Sequence, residues 1–225
     1  MLLTTNSHKR LPRRLVMPVT ALALALAVPA VAHAAADTTQ FSVTPGTLSF
    51  GTAPDVPNLP ALTLNGQAQT LPGQMNSYSV ADASGSGAGW NVTVNGDASA
   101  GKSAVFKQYC PNATCGTDSG PGYVSSGATL PANSLTLSSS GASFSAVGGT
   151  TGTAPTHQCN PTACNVDSAS AVRTVSAASG AGMGTWQTSG YGASSLGLSA
   201  PTTVKALQTN EVYRLDLVWS LNSGP

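Results

Sequence analysis

The chain has 225 residues, of which 8% are charged, with nine Lys and Arg against eight Asp and Glu. The usual charged share is about 25%, so solubility rests on Ser, Thr, Asn, Gln and Gly. Beyond the N-terminus no cations cluster, which excludes the footprint of a nucleic-acid binder and of a polybasic membrane contact.

The N-terminus reads as an export signal. Lys9, Arg10, Arg13 and Arg14 precede an apolar run from Leu15 to Val31, and small residues offer cleavage after Ala34 or after Ala36. Pro18 and Pro29 within the run, and no stop-transfer charges after it, argue for a cleaved signal peptide and general secretion. Removing residues 1–36 leaves five cations against eight acids, a net charge of −3. No membrane tail or sorting motif is read after Leu221, so no span is expected once the signal is gone. The remaining length, about 190 residues, suits one all-β domain.

Strand candidates then recur between turn signals. Phe41 to Phe50 is interrupted by Pro45-Gly46. Ala61 to Leu64 and Gln67 to Leu71 flank Asn65-Gly66, the signature of a type I′ hairpin. Asn76 to Ala83 and Gly89 to Asn95 flank the run Ser84-Gly85-Ser86-Gly87-Ala88-Gly89 and read as a second hairpin. Ser134 to Ser139 and Ala142 to Val147 read as a third, and Ser194 to Ser199 and Glu211 to Leu221 as the last strands. Glycine and proline break every helical candidate. The expected fold is all-β: a single antiparallel, Greek-key-like sandwich over residues 37–225, with 98–182 as a long disulfide-bearing insertion.

The cysteines share a spacing. Cys110-Pro111-Asn112-Ala113-Thr114-Cys115 and Cys159-Asn160-Pro161-Thr162-Ala163-Cys164 are both C-x4-C. Export makes disulfides the default, and three pairings exist. The matched spacing favours local pairs, Cys110 with Cys115 and Cys159 with Cys164, each contributing about 2 kcal/mol on loop-entropy grounds. The rival reading is a metal site of four thiolates with His157, against which stand the spacing and the oxidising compartment.

Catalytic chemistry is scarce. His157 is the one histidine after the signal, and no nucleophile elbow accompanies it, so it reads as a solvated loop residue. Asp82, Asp97, Asp118, Asp167, Glu211 and Asp216 are scattered, most at turns where Asp is ordinary. The glycine-rich run joins two strands and is no phosphate cradle. No enzyme, cofactor or metal is expected.

Two tryptophan segments stand out. Trp90-Asn91-Val92-Thr93-Val94 and Tyr213-Arg214-Leu215-Asp216-Leu217-Val218-Trp219-Ser220-Leu221 both alternate apolar and polar residues. Together with Leu48-Ser49-Phe50-Gly51, Tyr78 to Val94 and Leu198-Ser199-Ala200-Pro201, in that order, they resemble the WxL domain of Gram-positive cell-surface proteins. Trp219-Ser220-Leu221 is a complete copy of the motif, and Trp90-Asn91-Val92 has valine for leucine. The resemblance implies non-covalent attachment to the cell wall through peptidoglycan or another envelope glycan, beside partner surface proteins. It makes Trp90, Val92, Trp219 and Leu221 candidate binding residues, with rings stacking on sugar faces. Each tryptophan is also in phase with its strand's apolar side chains, which points to a core. Trp186, in Gly184-Thr185-Trp186-Gln187-Thr188, fits no strand pattern and is the candidate for an exposed contact. The alternative class is an adhesive or pilin-like subunit assembling through edge strands.

Overall fold

Period-2 alternation, with turn residues between the runs, turns the regular segments into strands; among the described residues no element is a helix. The structure is a computed structural model that describes residues 38–112, 115 and 121–225. The export signal and Asp118 lie outside the described residues. The strands are β1 (Leu48–Thr52), β2 (Gln69–Gly73), β3 (Tyr78–Asp82), β4 (Trp90–Gly96), β5 (Lys107–Cys110), β6 (Gly122–Tyr123), β7 (Leu135–Leu137) and β8 (Ser143–Val147). They continue with β9 (Thr156–His157), β10 (Cys164–Asn165), β11 (Val172–Ala177), β12 (Gly184–Ser189), β13 (Leu196–Ala200), β14 (Val212–Arg214) and β15 (Leu217–Ser223).

All pairs are antiparallel and form four sheets, ordered β15-β4-β11-β9, β1-β3-β12-β8, β10-β7-β13-β2 and β14-β5-β6. The first two face each other. Tyr78 of β3 lies against Trp219 of β15, ring centroids 6.1 Å apart, and Phe144 of β8 stacks on His157 of β9 at 4.3 Å. Their inner faces meet in a core of Tyr78, Val80, Trp90, Val92, Val94, Val175 and Ala177. The third sheet adds Leu71, Leu135, Leu137, Leu196 and Leu198 to the same core. The all-β sandwich expected from the alternation is what the chain forms.

Its pairings differ from those expected. β3 and β4 flank the glycine-rich run but do not pair: β3 joins the facing sheet and β4 the tryptophan-bearing sheet. β7 and β8 likewise enter different sheets, and Glu211 to Leu221 splits into β14 and β15 around Leu215-Asp216. Each of these three connections is therefore a crossing between sheets. At Asn65-Gly66 a turn does form, with Gly66 at φ +79° and the Gln67 amide donating to Asn65 Oδ1. Ala61 to Leu64 nevertheless stays outside the sheets, and β2 pairs with β13 instead.

The span 98–182 is also more than an insertion. It supplies β11, a central strand of the tryptophan sheet, together with β7 of the third sheet and the edge strands β8, β9 and β10. Only β5 and β6 form a separate small sheet, closed by β14. Cys110 bonds to Cys115 and Cys159 to Cys164, so all four sulfurs are committed to local loops.

Candidate functional site

The two tryptophan motifs meet. β15 pairs with β4 so that Leu221 lies opposite Val92, Trp219 opposite Val94 and Ser223 opposite Trp90. Directly opposed residues share a face, so Trp90, Val92, Val94, Leu217, Trp219 and Leu221 all point inward. β11 extends the apolar row on the other side of β4, with Val172, Val175 and Ala177 opposite Val94, Val92 and Trp90.

Trp90 and Val92 have no exposed surface and belong to the core. The Trp90 indole Nε1–H donates to the Gly182 carbonyl at 3.0 Å, so the ring's one polar atom is satisfied inside. Gly182, at φ +72°, is required there: a Cβ would sit 2.6 Å from Trp90 Nε1. Trp219 and Leu221 are half-buried on the edge strand and pack against the rim of the core. Trp219 is thus the motif ring that keeps some surface.

Trp186 is a correction to the loop expected there. It lies in β12, opposite Val80 of β3 and Ala146 of β8, and is 6% exposed. Its Nε1–H donates to the Met183 carbonyl at 3.0 Å. The alternation of β12 is weak in the sequence because Gly184 and Thr188, which flank Trp186 at inward positions, are not large apolar residues.

The outer face of the same sheet carries the other half of the pattern. Asn222 lies opposite Asn91, which lies opposite Ser176, which lies opposite Thr156: one row across four strands. The next row is Ser220, Thr93 and Arg173, and Val218 with Asn95 makes the third. Asn222 Nδ2 donates to Asn91 Oδ1 at 3.2 Å, and Asn91 Nδ2 donates to the Gly224 carbonyl at 2.8 Å, which orients the amides. These three rows carry amides and hydroxyls together with Arg173 and the exposed Val218. The middle residue of each motif lies on this side, Asn91 only 8% exposed beneath its bonds to Gly224 and Asn222, and Ser220 half-exposed.

The histidine is not a solvated loop residue. His157 ends β9 and is sandwiched between the stacked Phe144 ring and the edge of Tyr191, centroid 5.9 Å away. Neither ring nitrogen has a hydrogen-bond partner among the described residues, so no base–nucleophile or base–carboxylate pair is assembled on it. Burial holds its pKa down at about 4, against an ordinary value of 6.5. The sign follows: between these values the unfolded chain takes up a proton that the folded chain refuses. Stability is expected to be level above pH 6.5 and to fall as the pH drops toward 4. Urea midpoints measured across that range should show the fall, and His157→Phe, which preserves the stack, should remove the part between pH 6.5 and 5.

Three of the carboxylates have structural work. Asp82 Oδ1 accepts from the backbone and hydroxyl of Ser84, an Asx turn at the start of the glycine-rich crossing. Asp167, fully buried, accepts from the Ser134 amide at 2.8 Å. Asp216 gathers Arg214, Lys102, Tyr123 and the Ser103 amide. Among the described residues no group of His, Cys, Asp and Glu could hold a metal ion.

The profile of the WxL domain family, described as surface cell wall-binding, matches residues 34–225. The chain belongs to the WxL family. No curated relative matches it, and no solved structure does. For this WxL protein the match covers the cysteine-bearing middle as well as the tryptophan segments, in keeping with the strands the middle lends to the sandwich. The family places the chain with surface proteins that bind the cell wall. Among the described residues no helix is long and apolar enough to cross a membrane.

Proposed function

We propose that this WxL protein is secreted and holds non-covalently to the Gram-positive cell wall, without catalysis, through the outer face of the motif sheet. The observation that carries this reading is the in-register pairing of β4 with β15, which turns both motifs' apolar residues inward and their middle residues outward. Planar amides and hydroxyls in rows suit a ligand rich in hydroxyls and acetamides, such as a peptidoglycan strand. Each contact would be weak in water, and the repetition of wall sites would multiply it. The half-buried Trp219 ring and Leu221 sit at the sheet edge and would meet the ligand at the rim of this face; Trp90 and Val92 support it from within, and Trp186, buried in the facing sheet, takes no part in it.

Residues 37–225, purified with both disulfides intact, should sediment with purified Gram-positive walls and elute as a monomer in size exclusion. An edge-strand assembly is the competing reading, favoured by the position of β15 at the edge of its sheet with Val218 37% exposed. Concentration-dependent oligomers without wall sedimentation would support that reading and reject ours.

A further inference from the structure

We infer that Asn65-Gly66, at the tip of the loop before β2, is a site of covalent self-modification. The Gly66 backbone nitrogen closes on the Asn65 carboxamide, ammonia is expelled, and hydrolysis leaves aspartate or isoaspartate at position 65. This inference does not rest on the wall-binding reading. The chain contains the Asn-Gly pair twice, at 65–66 and at 95–96, and the fold treats the two pairs in opposite ways.

The first pair is open to the reaction. Residues 63–68 are all exposed and belong to no strand. Gly66 has φ +79°, and nothing stands within 4 Å of the position a Cβ would take. Its amide makes no hydrogen bond among the described residues. Glycine suits the attack because no side chain obstructs the closing ring. The Asn65 carboxamide is folded back along the chain: the Gln67 amide donates to Asn65 Oδ1 at 3.0 Å, and the turn so closed contains the Asn65–Gly66 peptide. That donor meets the oxygen on which negative charge gathers when the Gly66 nitrogen bonds to Cγ, so it favours the step.

The second pair has the same chemistry and is locked. Gly96 is buried in β4 opposite Leu217 of β15, and its amide donates to the Ser168 carbonyl at 2.6 Å. Asn95 Nδ2 donates to the Gly96 carbonyl at 2.9 Å. A Cβ at Gly96 would collide with the Ala104 carbonyl, so the backbone has no room to turn there. Attack at Asn95 needs β4 to part from its neighbours, a local unfolding. Asn95-Gly96 is thus an internal control for Asn65-Gly66.

The step balances with water as the one co-reactant. A bond forms between the Gly66 nitrogen and Asn65 Cγ, the Cγ–Nδ2 bond breaks, and the proton lost by Gly66 leaves in the ammonia. Water then opens the succinimide. Cleavage at Cγ gives aspartate, and cleavage at the backbone carbonyl gives isoaspartate; nothing is oxidised or reduced. The product adds one carboxylate to a tip that contributes no side chain to the core.

The test incubates residues 37–225, both disulfides intact, at mildly alkaline pH beside the free peptide Thr63–Ala68. Peptide mass mapping with isoaspartate detection follows both. Asn65 should convert within about tenfold of the peptide's rate, and Asn95 at least about tenfold more slowly than Asn65. Asn65→Ser should abolish the fast conversion, and the unfolding midpoint of the converted protein should match that of the fresh one. In strong urea, which opens β4, the two sites should convert at similar rates. An intact Asn65 after the peptide has converted would overturn the assignment, as would Asn95 keeping pace with Asn65 in the folded protein. A difference that persists in urea would overturn its structural origin. Wall sedimentation enters none of these readouts, so either proposal can fail alone.

Discussion

Trp90→Ala should lower the unfolding free energy by about 3–5 kcal/mol, the range for truncating a fully buried aromatic side chain. Trp90 has no exposed surface, sits in the central strand β4, and is walled by Ala177 and by the loop carrying Gly182. The cavity cannot collapse easily, because β4 is paired on both sides, by β15 and by β11. The substitution also leaves the Gly182 carbonyl without its 3.0 Å donor, a further cost in a buried site. Trp219→Ala should cost less, about 1–2 kcal/mol, since the ring is half-buried on an edge strand and its main aromatic neighbour is Tyr78. Denaturant titrations of the two variants side by side check the order. A larger loss at Trp219 than at Trp90 would contradict the placement of the two rings.

Asp216→Ala should be the most damaging change to a charged residue, by about 2–4 kcal/mol. Asp216 is 9% exposed and lies between β14 and β15, where the chain passes from the small sheet to the motif sheet. Its carboxylate accepts from Arg214 Nη2 at 2.9 Å, from the Ser103 amide at 3.2 Å, from the Tyr123 hydroxyl and from Lys102 Nζ at 3.5 Å. One side chain thus ties β6 and the 102–103 turn to the crossing. Arg214 in turn lies over the Tyr109 ring, 4.5 Å from its centroid, and Tyr109 meets Tyr123 edge-on at 5.0 Å. Arg214 and Lys102 are more than 40% exposed and regain water when the partner is lost, which keeps the figure below that of a fully buried pair. Burial by itself would raise the Asp216 pKa; the bonds from Tyr123, Arg214 and Ser103 outweigh it and hold the group below the ordinary carboxylate value of 3.8. This contribution to stability is therefore present above pH 3.8 and is lost as the pH falls through the lower, folded-state value. Acid unfolding of Asp216→Asn should lack that component while keeping the fall between pH 6.5 and 4 assigned to His157.

Faces were legible in the sequence; partners were not. The alternation of Trp90, Val92 and Val94, and of Leu217, Trp219 and Leu221, correctly placed both rings on the buried side, because side-chain direction is a local property of a strand. Which strand pairs with which depends on the path of the connections. The glycine-rich run after Asp82 has the composition of a hairpin turn, yet it carries the chain across the sandwich: a Cβ at Gly89, φ +78°, would collide with the Ala177 carbonyl on a strand distant in sequence. The strand of Trp186 is hidden for a related reason. Its strand is read as strand only when Val80 and Ala146 stand beside it. The burial of His157 has no local signature, because its stacking on Phe144 is a contact between sheets. The hydrogen bond from Gln108 to Glu211 has no local signature at all, since the two residues are 103 positions apart along the chain. The cysteines, by contrast, were readable from their matched spacing, because their loops close within five residues.

The most direct test of the account concerns the outer face of the motif sheet, since every inward motif residue would serve a purely structural role equally well. Thr93 and Ser220 face each other there, each half-exposed. Wall sedimentation should be measured for the Thr93→Glu, Ser220→Arg double variant, whose new charges pair with each other and with Arg173 across the row, and for the unmodified protein, with unfolding midpoints recorded for both. The account predicts wild-type stability within about 0.5 kcal/mol, as for surface substitutions, together with at least a tenfold loss of wall affinity. Unimpaired sedimentation of a stable double variant would contradict it and move the binding surface elsewhere.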